Sequence, residues 1–144
     1  MKIKHYIVGL IIVIVDQLSK ILIINKNISI IPNFLNFTYT ENLGGAFGLG
    51  KQQIIFLLSL VLTIGIIIYL IRNRSKIINY IPFILIISGS IGNLIDRVFR
   101  GYVIDFIDVN IFNFPNFNIA DICIVIGIIW LIINIITKGF KKVN

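Results

Sequence analysis

The sequence has one histidine, one cysteine, one tryptophan and only six acidic residues in 144, and each scarcity excludes something. A single cysteine, Cys123, rules out an internal disulfide and any cysteine-based metal cluster. The one histidine, His5, lies beside the N-terminus, among lysines. That removes a zinc site of the HExxH kind and makes a serine–histidine or cysteine–histidine nucleophile implausible. Charged residues make up 13% of the chain and apolar ones 58%. A soluble domain carries about 25% and 45–50%. So few charges cannot cover a water-facing surface, and the solvent must be largely lipid.

What charge there is sums to +7. A nucleic-acid surface needs Lys and Arg gathered on one solvated face. Here they fall in small groups between apolar runs: Lys2 and Lys4; Arg72, Arg74 and Lys76; Lys138, Lys141 and Lys142. That is the spacing of topology signals, and no nucleic-acid partner is expected.

Four apolar runs reach the roughly 20 residues a membrane helix needs, at about 6–25, 53–71, 77–95 and 119–137. The first has the basic start and apolar stretch of a signal peptide. However, Asp16 and Lys20 interrupt it and no small-x-small cleavage site follows, so it is expected to be a retained helix. Short loops rich in Lys and Arg stay cytoplasmic, which puts both termini inside. The expected fold is an all-α membrane protein, a single integral domain over residues 1–144, with a small extracytoplasmic β-containing loop region. The two longer connections, about 26–52 and 96–118, then lie on the far side of the membrane. In the first, "NISIIPNFLNFTYT" suits a short strand or two at the interface. The "ENLGGAFGLG" that follows, with Gly44, Gly45, Gly48 and Gly50, implies backbone that turns tightly or approaches something closely.

The acidic residues are Asp16, Glu41, Asp96, Asp105, Asp108 and Asp121. A charge within a span costs about 2.5–3.5 kcal/mol on insertion scales, so it pairs or marks function. Lys20 lies four residues after Asp16 on the same helical face. The two read as an internal ion pair with Lys20 snorkelling outward; the alternative is a proton- or cation-coupling carboxylate. In "SGSIGNLIDR", Ser88, Gly89 and Gly92 permit close helix approach, while Asn93, Asp96 and Arg97 bring amide and charge to one end of that face. Asp96 is expected to pair with or flank Arg97.

Asn118 is a favoured N-cap for the last helix and Asp121 a favoured first-turn acid. Asp105 interrupts an apolar part of the second loop, and Asp108 follows it. Carboxylates brought close at one membrane boundary cannot both ionise comfortably; one keeps a proton while the other stays anionic. Such a pair activates water with the anion and polarises a carbonyl with the acid. A four-helix transporter coupled through Asp16 and a non-catalytic assembly subunit are the competing readings. The first would need Asp16 rather than the outer carboxylates; the second would need none.

Asp16-Gln17-Leu18-Ser19-Lys20, Asn42 to Gly48, Gly89 to Arg97, Val103-Ile104-Asp105-Phe106 and Phe117-Asn118-Ile119-Ala120-Asp121 together resemble, in order and spacing, the five motifs of the lipoprotein signal peptidases (signal peptidase II) of bacteria. Ser88, Gly45 and Cys123 depart from the family's common residues, and none touches the two carboxylates. The resemblance implies that Asp105 and Asp121 are the catalytic dyad. It implies that Asn42, Asn93, Arg97 and Asn118 line or brace the substrate site, with Asp16 and Lys20 supporting. It further implies a prolipoprotein substrate carrying diacylglycerol on a cysteine and cut just before it, at the outer face of the cytoplasmic membrane. The 27–50 loop would cover the site. Asn93 or Asn118 would steady the oxyanion. Either aspartate could hold the resting proton; the helix dipole would favour the anion on Asp121, and Asp105, in its apolar stretch, would then keep the proton. No metal or organic cofactor is called for; membrane lipid is the other partner, and nothing demands more than a monomer.

Overall fold

A computed structural model describes residues 3–43, 52–75, 77, 79–111 and 114–141. The elements run α1 (Ile3–Ile23), β1 (Asn27–Ile31), β2 (Leu35–Asn42), α2 (Gln52–Arg72), α3 (Ile81–Phe99), β3 (Val103–Val109) and α4 (Ile119–Lys141). All four helices are long and apolar enough to cross a membrane. Their outward faces are almost wholly Ile, Leu, Val and Phe, many of them more than half exposed, which only a lipid solvent makes favourable.

The third helix begins and ends four residues later than hydropathy alone suggests. The Asn79 side chain accepts the Ile81 N–H at 3.0 Å, and Pro82 occupies the first turn, where its missing N–H costs nothing. At the other end the helix continues through Asp96 and Arg97 to Phe99, because the Asp96 carboxylate is neutralised inside the bundle.

Helix α3 is the centre of the bundle and packs against each of the other three. Its small residues let α4 and α1 come near. A Cβ on Gly89 would stand 2.3 Å from the Ala120 carbonyl oxygen, and one on Gly92 would stand 2.5 Å from an Asp16 carboxylate oxygen. Both glycines are required by that contact.

The strands form one antiparallel sheet in the order β1-β2-β3. Pro32 and Asn33 (φ 60°) make the hairpin turn, closed by Phe34 N–H to Ile31 oxygen at 3.0 Å. The third strand was not expected: Val103–Val109 reads in sequence as an apolar part of a loop. It pairs with β2 from Asn42↔Val103 to Leu35↔Val109, and Phe117 extends it by an isolated bridge to Ile107. The sheet sits on the bundle end where α1 and α3 finish and α4 starts. Ile104, Phe106 and Ile23 form a buried cluster there with Phe37 and Ile119 packed around it. Asp105 and Asn42 are thereby fixed to a sheet, and Asp121 to a helix start beside it.

The glycine-rich run with Gly44, Gly45, Gly48 and Gly50, with most of the motif beginning at Asn42, lies outside the described residues.

Candidate active site

Asn118 organises the site because its two side-chain atoms face different ways. Its Oδ1 accepts the Asp121 N–H at 3.0 Å, and the Asp121 carboxylate accepts the Asn118 N–H at 3.2 Å. This reciprocal pair starts α4, with aspartate in the position usually held by glutamate or glutamine. The Asn118 amide nitrogen points the other way. It donates to Asp105 Oδ1 at 2.6 Å, to Asn93 Oδ1 at 3.1 Å and to the Ile104 carbonyl at 3.2 Å. One fully buried side chain thus caps a helix and holds both carboxylates in relation to each other.

Each carboxylate has a second holder. Asn42, at the end of β2, donates to Asp105 Oδ2 at 2.7 Å. Asn93, from α3, donates to Asp121 Oδ1 at 2.8 Å. Both aspartates line one cavity of about 470 Å³ together with Asn42, Asn93 and Arg97. Arg97 donates to the Asn93 carbonyl at 3.4 Å and lies within electrostatic reach of Asp121, Asp105 and Asp96. Apolar residues of α4, among them Ile122, Val125 and Ile126, continue the cavity wall along the helix.

Asp105 is 2% exposed. Burial pushes its carboxyl up to about 6; the Asn42 donor pulls it down, the Asp121 charge raises it, and Asn118 and Lys20 lower it again. It therefore holds a proton at a pH where an ordinary carboxylate has long lost it. The two carboxylates are electrostatically coupled, so their protons belong to the pair.

Behind this pair lies a buried ionic cluster. Lys20 is fully buried, so it does not snorkel as the first-helix sequence suggests. Its ammonium meets Asp16 at 2.9 Å, Asp96 at 2.7 Å and Asn93 Oδ1 at 3.0 Å. The cavity of counter-charges makes staying inside more favourable than reaching for the interface. Asp96 pairs with Lys20 and Arg100 and only flanks Arg97, the second of the two arrangements expected of it. It also accepts the Ile104 N–H at 3.3 Å, tying α3 to β3 one residue before Asp105. Asp16 accepts the Ala120 N–H at 3.0 Å, so its negative charge meets an unsatisfied donor in the first turn of α4. Gln17 bridges Asp16, Asp96 and the Gly92 carbonyl at 3.1–3.2 Å, and Arg100 donates to Gln17 at 3.1 Å.

All eight site residues named from the sequence are thus in one connected region. Sequence reasoning missed Gln17 as a bridge, Arg100 as the second cation, and the Phe114–Phe117 segment on the cavity wall. Arg100 had a signal: it follows Asp96 by four, as Lys20 follows Asp16. Asp108 and Glu41 serve the sheet, taking hydrogen bonds from Asn36 and Thr38, and from Tyr39, respectively. His5 lies at the far end of α1 from the sheet, away from both aspartates.

Four membrane-length helices make this a multi-pass membrane protein, with two carboxylates gathered at one cavity at one end of its bundle. The family model described as signal peptidase (SPase) II matches residues 8–137. A lipoprotein signal peptidase of Clostridium acetobutylicum is 41% identical, with 90% of this chain and 92% of the relative covered. The one from Staphylococcus haemolyticus is 36% identical over 99% of both. A solved bacterial membrane enzyme superposes with a TM-score of 0.83 at 34% identity, covering 96% of this chain and 91% of that one. The chain belongs to the signal peptidase II family, the membrane aspartic peptidases of lipoprotein processing.

Proposed function

We propose that Asp105 and Asp121 are the catalytic dyad of this peptidase. Its substrate is a prolipoprotein already carrying diacylglycerol on a cysteine, and the bond cut is the one just before that cysteine. The supporting observation is that Asn118 holds two carboxylates from different elements at one cavity, whose remaining wall runs on as apolar helix. The polar end suits the peptide and the apolar wall suits the acyl chains.

In the proposed mechanism Asp121, held by its two donors at the start of α4, acts as the base and takes a proton from water as the oxygen attacks the scissile carbonyl. Asp105 gives its proton to the carbonyl oxygen, forming a neutral tetrahedral diol. Collapse breaks the carbon–nitrogen bond. The proton held by Asp121 passes to the cysteine amine, and a diol hydroxyl returns one to Asp105. Asn118 orients the aspartates rather than the oxyanion, since its amide is already engaged by three acceptors, and Asn93 orients Asp121 through one of its N–H groups. Arg97, on the cavity wall, is the donor we assign to the substrate carbonyl. Asp16 and Lys20 hold α1, α3 and the start of α4 together behind the pair.

The dyad end faces out of the cytoplasmic membrane of a bacterium and both termini face in. The lysines and arginines at the N-terminus, around 72–76 and at the C-terminus favour that orientation. We expect the protein to work as a single domain, and the proposed chemistry calls for no second copy. Purified enzyme given one prolipoprotein with and without its diacylglycerol tests the substrate class. Cleavage of the lipidated form alone is expected; equal cleavage of both would remove the lipid from the proposal.

A further inference from the structure

A second and larger cavity lies at the opposite end of the bundle from the aspartates. Helices α1 and α2 both rest on α3, and the cleft between them, about 670 Å³, is floored by α3. That volume is in the range of ligand sites, roughly 300–1,000 Å³. Its sides are apolar, with Leu10 and Val13 on α1 facing Ile67 and Leu70 on α2. Its mouth is polar and built. The Tyr80 hydroxyl donates to the Arg74 carbonyl at 2.7 Å, the His5 ring lies 5.5 Å from the Tyr80 ring, and Arg74 lines the cavity.

Among the described residues, the charge at this end is of one sign. Lys4, Arg72 and Arg74 flank the cleft's helices, while five of the six acidic residues, Glu41, Asp96, Asp105, Asp108 and Asp121, are at the sheet end. The sixth, Asp16, is eleven residues up α1 from His5, roughly 16 Å at the helical rise, and is already paired with Lys20. Among the described residues, an anion at the mouth therefore meets cations and no competing carboxylate. An apolar slot between two membrane helices holds hydrocarbon rather than water, and a basic pocket between such helices suits an anionic lipid headgroup.

We propose that the α1–α2 cleft binds one phospholipid with an anionic headgroup, an acyl chain lying between Val13 and Ile67 and the phosphate at Arg74. The site is separate from the peptidase cavity, and it does not depend on the assignment of the dyad. The lipid fills a gap between two helices that pack on α3 but little on each other, and so braces α2 against the rest of the bundle.

Native mass spectrometry of the full-length protein, exchanged into detergent with either phosphatidylglycerol or phosphatidylcholine of identical chains, tests this. Wild type should retain a single phosphatidylglycerol at least tenfold more than phosphatidylcholine. Arg74→Gln should bring the two lipids to the same level while peptidase activity persists. Ile67→Trp, which fills the slot and leaves Arg74 in place, should lose the bound lipid. Equal retention of both lipids by wild type, or undiminished phosphatidylglycerol on either variant, would overturn the proposal.

Discussion

Lys20 Nζ lies 3.0 Å from Asn93 Oδ1, and this contact decides which way the Asn93 amide faces. An ammonium only donates, so the oxygen of Asn93 must turn toward it and the NH₂ toward Asp121. The lysine never touches Asp121 yet fixes the donor that does.

Lys20→Met leaves Asp16 and Asp96 buried without their shared cation. Breaking a buried pair in this way costs about 3–5 kcal/mol. Unfolding in detergent should show a loss of that order. Adding Asp16→Asn should recover part of it, because the Asp16 charge is then gone while Asp96 keeps Arg100. A Lys20→Met protein as stable as wild type would mean the cluster carries no charge.

Asn118→Ser separates the two duties of Asn118. A serine hydroxyl can still accept the Asp121 N–H and start α4, but it cannot reach Asp105 as the amide does. The unfolding midpoint should stay within a few degrees, while kcat falls by roughly tenfold or more. Asn118→Ala, which also loses the cap, should cost about 1 kcal/mol further. Full activity in the serine variant would show that the amide does not position Asp105.

The pH profile follows from Asp105. Its carboxyl, raised to about 6, is protonated below that pH and ionised above it. With Asp105 as the acid, kcat/KM for a lipidated substrate should decline as pH rises through about 6, the limb belonging to the coupled pair. Asn42 stabilises the ionised form, so Asn42→Ala should move the limb to higher pH. A limb that stays put or moves down in that variant would assign it to another group.

Gly89 and Gly65 make a matched pair of helix glycines. An added methyl at Gly89 meets the Ala120 backbone oxygen, which cannot swing aside, while at Gly65 it meets nothing within 4 Å. Gly89→Ala should cost about 1–3 kcal/mol and lower activity, since it pushes the start of α4 and Asp121 away from α3. Gly65→Ala should stay within about 1 kcal/mol and leave activity unchanged. Thermal unfolding and turnover of the two variants check both.

The four spans and the hairpin are legible because each is local: a long apolar run, or two β-rich runs around Pro32-Asn33. Strand β3 is not. Val103 to Phe106 are buried on both faces, so the alternation that marks a half-exposed strand is missing. Its register against β2 is a pairing across more than sixty residues. The candidate site divides in the same way. The spacing of Asn118 and Asp121 foretells the cap, and the spacing of Asp16 and Lys20 foretells their pair. That Lys20 also takes Asp96, and that Asp96 prefers Arg100 over adjacent Arg97, depends on how α1 and α3 face each other. The resemblance to the family singled out Asp105 and Asp121; spacing alone left Asp108 equally eligible.

The most direct test of the dyad is turnover of a lipidated prolipoprotein by three purified, folded variants: Asp105→Asn, Asp121→Asn and Asp16→Asn. Asp105→Asn and Asp121→Asn should each abolish cleavage while keeping the bundle intact, and Asp16→Asn should retain activity in proportion to the folded protein it leaves. Cleavage by both Asp105→Asn and Asp121→Asn, with loss confined to Asp16→Asn, would contradict the assignment and move the chemistry to the middle of the first helix.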